Sequence, residues 1–150
     1  MAYRNVIVGT DGSSTAELAV QHAASLAADH EARLVIVTAY EPQRDVNEES
    51  DRVPADLRWM LTDRSQAEQK ARHGKEIAVG AGAPSIVVQA IEGSPADVLL
   101  EAAGDFGADC IVVGSRGLTS AAHFVMGSVA SSVSHHAPCD VLIVHTTGQS

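Results

Sequence analysis

The sequence has few aromatic residues and no long apolar run. Aromatic residues make up 3% of the 150 residues, although hydrophobic residues make up 45%. The core must therefore be built from Val, Ile, Leu and Ala, which suits buried parallel strands covered by alanine-rich helices. No apolar run approaches the roughly 18 residues of a membrane-spanning helix, and no secretory leader pattern opens the chain. We therefore expect a cytoplasmic location and no membrane partner.

Basic residues are also scarce. Ten Lys and Arg residues stand against nineteen Asp and Glu residues, which gives a formal net charge of −9. Because an acidic surface repels the phosphates of nucleic acids, the composition argues against a nucleic-acid partner. A small anionic ligand remains compatible with this charge, provided that local dipoles outweigh the field of the whole protein.

The sequence has only two cysteines, Cys110 and Cys139. Two cysteines without metal-ligand spacing make neither a disulfide framework nor a zinc site. Each begins an apolar run, so we expect both to act as small buried hydrophobic residues.

Familiar catalytic motifs are absent too. The sequence contains no G-x-x-x-x-G-K-[S/T] loop, no G-x-G-x-x-G after its first predicted strand, and no evident Ser/His/Asp arrangement. The sequence identifies no catalytic residue and favours binding over turnover.

The rest of the pattern alternates short apolar runs with helical segments. Strands are predicted over 6–8, 34–40, 86–91, 109–115 and 140–145, and helices over 13–29, 57–81, 94–107 and 128–136. This alternation predicts a single α/β domain over 1–150, with parallel strands and right-handed crossovers.

Three local features accompany these elements. Ser13 or Ser14 is expected to cap the first helix, with Glu17 completing a capping box from Ser14. Gly74 weakens the helical pattern of 57–81. The stretch 41–56 carries two prolines and six acidic residues, and predicts a loop or lid. Its acidic residues favour a solvated surface over a metal site.

The most informative stretch runs from 112 to 133. An apolar strand there meets Gly114, Gly117 follows, and Gly127 with Ser128 opens a helix. Glycines allow backbone to approach a ligand closely, and the first N–H groups of a helix favour an anion. Arg116 lies between the first two glycines and is open to two interpretations, a phosphate contact or a solvated side chain. The stretch predicts a phosphate-binding site.

The spacing G-x2-G-x9-G-[S/T] also resembles the nucleotide motif of the ATP-binding universal stress proteins. The four motif positions are matched by Gly114, Gly117, Gly127 and Ser128. The resemblance extends to the first strand and turn at 6–13, the turn at 93–96 and the closing strand at 141–144. It therefore covers essentially the whole chain.

The resemblance implies a Rossmann-like five-stranded parallel sheet, order 3-2-1-4-5, with helices on both faces. It implies binding of ATP, with Mg²⁺ possible, as a switch or buffer in a stress response, with at most slow hydrolysis. Cyclic AMP is the alternative ligand, and a homodimer joined through 141–144, with nucleotide binding incidental, is a third interpretation. The implied binding residues are Gly9, Thr10, Asp11, Ala39, Val113, Gly114, Arg116, Gly117, Gly127, Ser128, Val129 and Ala130.

Two of these positions leave room for other interpretations. Asp11 is implied to line the nucleotide pocket or to help a divalent metal, but an Asp before Gly12 also suits a plain Asx turn. The family usually has a hydroxyl residue at or near position 130, where this chain has alanine. Ser131 is the nearest hydroxyl that could replace it.

Overall fold

The computed structural model describes residues 3–41, 63–115 and 127–145, which form alternating strands and helices. In chain order these are β1 (Asn5–Gly9), α1 (Ser14–His30), β2 (Arg33–Tyr40), α2 (Asp63–Gly80), β3 (Ser85–Glu92), α3 (Pro95–Phe106), β4 (Cys110–Gly114), α4 (Ser128–His136) and β5 (Asp140–Val144). Every predicted strand is confirmed, with bounds that differ by at most one residue. The predicted loop lies outside the described residues apart from Glu41, as does the first part of the predicted helix 57–81.

The five strands form one parallel sheet in the order β3-β2-β1-β4-β5, which confirms the expected order. The central strand β1 pairs with β2 on one side, where Gly9 lies opposite Val37. It pairs with β4 on the other side, where Val8 lies opposite Val112. The winding direction reverses between β1 and β4, and α/β sheets bind ligands beyond the strand ends at such a point.

The core consists of two apolar layers, one on each face of the sheet. Val6 and Val8 pack with α1 and α2 on one face, whereas Ile7 packs with α3 and α4 on the other. All three side chains are fully buried, as the alternation of a strand between two helix layers requires. The core contains no buried aromatic residue within the described ranges, in keeping with the composition.

The start of helix α1 confirms the predicted serine cap but not the predicted capping box. Its N-cap is Ser13, whose Oγ accepts a hydrogen bond from the backbone N–H of Ala16 at 3.1 Å. The prediction of a capping box between Ser14 and Glu17 is wrong. The Glu17 carboxylate instead lies 2.9 Å from Nε2 of His73 on α2, and this hydrogen bond raises the pKa of His73. A contact across a long stretch of chain thus competes successfully with the local motif.

Gly74 lies inside α2, and its lack of a side chain has a clear use. A Cβ at this position would lie 3.2 Å from Cγ2 of Ile36 and 3.6 Å from Cγ2 of Thr10. The glycine that weakens the helical pattern therefore lets α2 pack closely against the middle of β2 and the turn that follows β1.

Both cysteines are free thiols. Cys110 is 1% exposed, and burial raises its pKa to about 11. Cys139 is half-buried, and burial raises its pKa as well. The burial predicted for Cys110 is confirmed, and neither thiol has the lowered pKa of a reactive cysteine.

No helix in the described parts of the chain is both long and apolar enough to cross a membrane.

Candidate functional site

The turn after β1 is built from side chains that bond to their own backbone. Thr10 donates its N–H to the carbonyl of Val37 at 3.0 Å, which ties the turn to β2. Oγ1 of Thr10 accepts from Gly12 N at 3.1 Å, and Oδ1 of Asp11 accepts from Ser13 N at 2.9 Å. The Asx turn is therefore present at Asp11. It engages one carboxylate oxygen of an exposed side chain, so a role in ligand contact stays compatible with it.

The end of β4 and the start of α4 are joined by backbone hydrogen bonds. Gly127 donates its N–H to the carbonyl of Ser115 at 2.7 Å, and Ser115 donates to Val144 at 2.8 Å. These bonds place the start of α4 directly against the last residues of β4. Residues far apart in sequence, Gly114 and Gly127, thereby come to the same place in the fold.

Helix α4 begins with a glycine as its N-cap residue. This residue is Gly127, which has no side chain that could accept a hydrogen bond, and no capping side chain is seen at this end among residues 3–41, 63–115 and 127–145. The first N–H groups of a helix have no partner within the helix and carry a partial positive charge. The two residues His135 and His136 occupy the last turn, at the negative end of the same helix dipole.

Ten of the twelve binding residues implied by the sequence lie in described ranges. Nine of them flank the reversal point: Gly9, Thr10, Asp11, Val113, Gly114, Gly127, Ser128, Val129 and Ala130. The pairing of Val8 with Val112 sets Gly9 beside Val113 at the carboxyl edge. The tenth, Ala39, lies at the same edge near the end of β2. Arg116 and Gly117 lie outside the described residues.

A cavity of about 280 Å³ opens at this edge, where β2 and β3 end beside α2. We call it the α2 cavity. It is lined by Ala39, Tyr40, Glu41, Gln66, Lys70, Gly93 and Pro95. Of these, only Ala39 was among the implied binding residues. Gln66 and Lys70 carry no local motif, and only the packing of α2 brings them here.

The described residues contain no group of three or more His, Cys, Asp or Glu side chains arranged to hold a metal ion.

The comparisons with known proteins agree with this architecture. The model of the universal stress protein family matches residues 2–145. A universal stress protein of Mycobacterium tuberculosis is 40% identical over 146 residues, which cover 97% of this chain and 99% of the relative. A putative universal stress protein of Staphylococcus epidermidis is 33% identical over 147 residues, covering 97% and 86% respectively.

Solved structures give the same result. A universal stress protein crystallised in complex with cAMP has a TM-score of 0.74 and 36% identity, over 98% of this chain and 100% of that chain. A universal stress protein from Lactobacillus plantarum has a TM-score of 0.77 and 26% identity, over 96% and 99%.

The fold and the glycine-bounded helix start define an α/β protein of the doubly wound class, with its candidate site at the reversal point. Within that class, the chain belongs to the universal stress protein family.

Proposed function

We propose that this protein binds an adenine nucleotide across the carboxyl edge of its sheet, as a switch or buffer in a stress response. The observation that carries the proposal is the 2.7 Å hydrogen bond from Gly127 to Ser115, which sets the start of α4, with its glycine N-cap, against the end of β4. A helix N-terminus beside a glycine-bearing strand end is suited to a phosphate group.

The residues divide into three groups along this edge. The backbone of Gly114 and Gly127 and the first residues of α4, from Ser128 to Ala130, take the phosphate end. The family resemblance adds Arg116 and Gly117 to this group. The turn with Gly9, Thr10 and Asp11 takes the middle of the nucleotide, and Ala39 takes the base through its backbone.

ATP is the ligand that the glycine motif favours, and Mg²⁺ would accompany it through the phosphate oxygens, with the exposed carboxylate of Asp11 as a candidate protein ligand. Cyclic AMP is the second candidate. It is supported by the relative that was crystallised with cAMP, which is 36% identical over nearly the whole chain. Any hydrolysis of ATP should be slow, because the sequence identifies no general base for an attacking water. A cytoplasmic location goes with this proposal.

The first experiment identifies the ligand directly. The protein is purified without added nucleotide and denatured, and any released small molecule is identified by chromatography and mass spectrometry. The emptied protein is then titrated with ATP and with cAMP while the melting temperature is followed. A ligand at 100 times its Kd should stabilise the native state by about 2.7 kcal/mol.

The outcomes separate the candidates. Recovery of ATP or ADP, and a larger thermal shift with ATP, would support the ATP proposal. Recovery of cAMP and a larger shift with cAMP would assign the protein to second-messenger binding. Absence of any shift with either nucleotide at millimolar concentration would contradict the proposal.

We also propose that the protein forms a homodimer through β5. This strand lies at the edge of the sheet, and Leu142 and Ile143 are exposed there, at 39% and 37%. An exposed apolar edge strand readily pairs with a second strand. We expect light scattering at micromolar concentration to give twice the 15.6 kDa chain mass.

Replacing both Leu142 and Ile143 by lysine should return the mass to that of one chain, because the charges would be buried in the interface. The matched control is Val79→Lys, since Val79 is an exposed apolar residue on α2, away from the edge. A single-chain mass for the unmodified protein would refute the dimer.

A further inference from the structure

Four of the residues that line the α2 cavity, Tyr40, Glu41, Gln66 and Lys70, have polar side chains. Recognition of a base by backbone groups alone would not require them. Gln66 and Lys70 lie four residues apart on α2, so they share one face of the helix. Both line the cavity, together with Tyr40 and Glu41. The rest of the lining is Ala39, Gly93 and Pro95. A flat ligand with polar edges matches this combination.

The stem of Lys70 packs against Gly12. A Cβ on Gly12 would lie 3.1 Å from Cγ and 3.3 Å from Cδ of Lys70, so the lysine stem packs on the backbone of the β1 turn. Gly12 also has φ of +82°, a conformation that L side chains rarely adopt. The glycine therefore shapes the turn and leaves room for the lysine above it.

Gln66 and Lys70 are exposed on α2, and no hydrogen bond or ion pair of their side chains is seen within the part of the chain that the structure describes. Ion pairs among the described residues join Arg64 to Glu68, and His73 to Glu17 and Glu76. Lys70 takes part in none of them, and both Gln66 and Lys70 are exposed. The chain has a net charge of −9, and Lys70 places an ammonium group without an ion pair among the described residues at the edge of the candidate site. This group can donate hydrogen bonds to a bound ligand.

The position of the α2 cavity in the fold indicates which end of a nucleotide it would contact. It lies at the ends of β2 and β3, whereas the proposed phosphate end lies at β4 and α4. Strands β2 and β4 are separated by β1, and with neighbouring strands about 4.8 Å apart the two ends are about 10 Å apart. A mononucleotide with its phosphates on α4 would thus present its base to the α2 cavity.

We propose that Gln66 and Lys70 recognise the base of the bound nucleotide through their side chains. Lys70 donates hydrogen bonds to a ring nitrogen, and the Gln66 amide can both donate and accept along the same edge. Glu41 offers an acceptor for the exocyclic amino group of adenine. The inference rests on the proposed adenine-nucleotide binding, and it adds side-chain selection by α2 to the backbone contact at Ala39.

The test compares a nucleoside with a nucleotide in matched variants of the full chain. Lys70→Met keeps the stem that packs on Gly12 and removes the charge, whereas Lys75→Met makes the same change elsewhere on α2. Gln66→Ala is matched by Gln69→Ala, another exposed glutamine of α2 outside the cavity. Adenosine and ATP are titrated into each protein, with NMR shift changes followed to millimolar concentration.

We expect unmodified protein to bind adenosine weakly and ATP more tightly. Loss of a charged hydrogen bond should make Lys70→Met weaker by about 10-fold, and by the same factor for both ligands. Gln66→Ala should weaken both by a smaller common factor of about 5-fold, the size of one neutral hydrogen bond. Both control variants should bind like the unmodified protein.

Three results would overturn the inference while leaving nucleotide binding intact. The first is loss of ATP affinity in Lys70→Met with adenosine unaffected, which would assign the lysine to phosphate. The second is unchanged binding of both ligands in Lys70→Met and Gln66→Ala. The third is unmodified protein that binds ATP and shows no adenosine binding. Unmodified protein that binds neither ligand would instead refute the proposed function itself.

Discussion

Replacing Ser128 by aspartate is expected to weaken ATP binding by at least about 100-fold without destabilising the protein. Ser128 is the first residue of α4 and is exposed, so a carboxylate there would occupy the proposed phosphate end. Two like charges about 4 Å apart repel by about 4 kcal/mol at an effective dielectric constant near 20, and about 1.4 kcal/mol corresponds to a factor of ten. A carboxylate at a helix N-terminus nonetheless stabilises the helix by about 0.3–1 kcal/mol.

Ser128→Asp should weaken ATP binding but stabilise the helix. These opposite effects distinguish a role of Ser128 in binding from a role in the stability of the fold. ATP affinity would be measured by calorimetry and the free energy of unfolding by urea titration. Ser134→Asp is the control, because it adds the same charge to an exposed residue near the other end of α4. That variant should bind ATP normally and lose about 0.3–1 kcal/mol of stability through the helix dipole. Equal ATP affinity in the two variants would contradict the placement of the phosphate.

Replacing Ile7 by alanine should give the largest loss of stability, about 2–5 kcal/mol, because it opens a cavity in a fully buried site. Ile7 lies in the central strand β1 and is 0% exposed between α3, α4 and the neighbouring strands. The milder Ile7→Val should cost about 0.5–1.5 kcal/mol. Both values would be read from urea titrations with a common slope.

The control for this series is Val79→Ala, because Val79 is 60% exposed on α2. Its change in the free energy of unfolding should stay within about 0.5 kcal/mol. If Ile7→Ala cost no more than Val79→Ala, the description of β1 as the centre of a core with two layers would be wrong.

The strands could be predicted closely because their signal is local. Each is a short run of Val, Ile or Leu bounded by Gly, Pro or polar residues, and that pattern needs no knowledge of the partner strand. The sheet order required more. Periodicity predicts that β1 and β4 exist, but only the family resemblance placed them side by side.

Features that depend on packing between distant segments could not be predicted from the sequence. Glu17 has the spacing of a capping box, yet its carboxylate bonds to His73 on another helix. Gly74 reads as a weak point in a helix, although its missing side chain is what lets α2 reach Ile36. In the sequence, Gln66 and Lys70 resemble ordinary surface residues. Only the position of α2 in the fold shows that they line the cavity at the carboxyl edge of the sheet.

The candidate site divides in the same way. Its glycine motif was readable from one stretch of chain, because Gly114, Gly127 and Ser128 follow a strand and open a helix. The α2 cavity combines α2 with segments at the ends of β2 and β3, so its residues lie too far apart in sequence to form a motif.

The hydrogen bond from Gly127 to Ser115 also has a consequence for how the sequence can change over evolution. It joins strand and helix at the base of the segment between them, so the geometry of that junction is carried by the two residues at its ends. Both groups of this hydrogen bond belong to the backbone, so the bond does not depend on which side chain stands at position 115. Proline is the exception, because residue 115 also donates its N–H to the carbonyl of Val144 and proline has no N–H to donate. The sequence at position 115 can therefore diverge widely while β4, β5 and the start of α4 keep their connection.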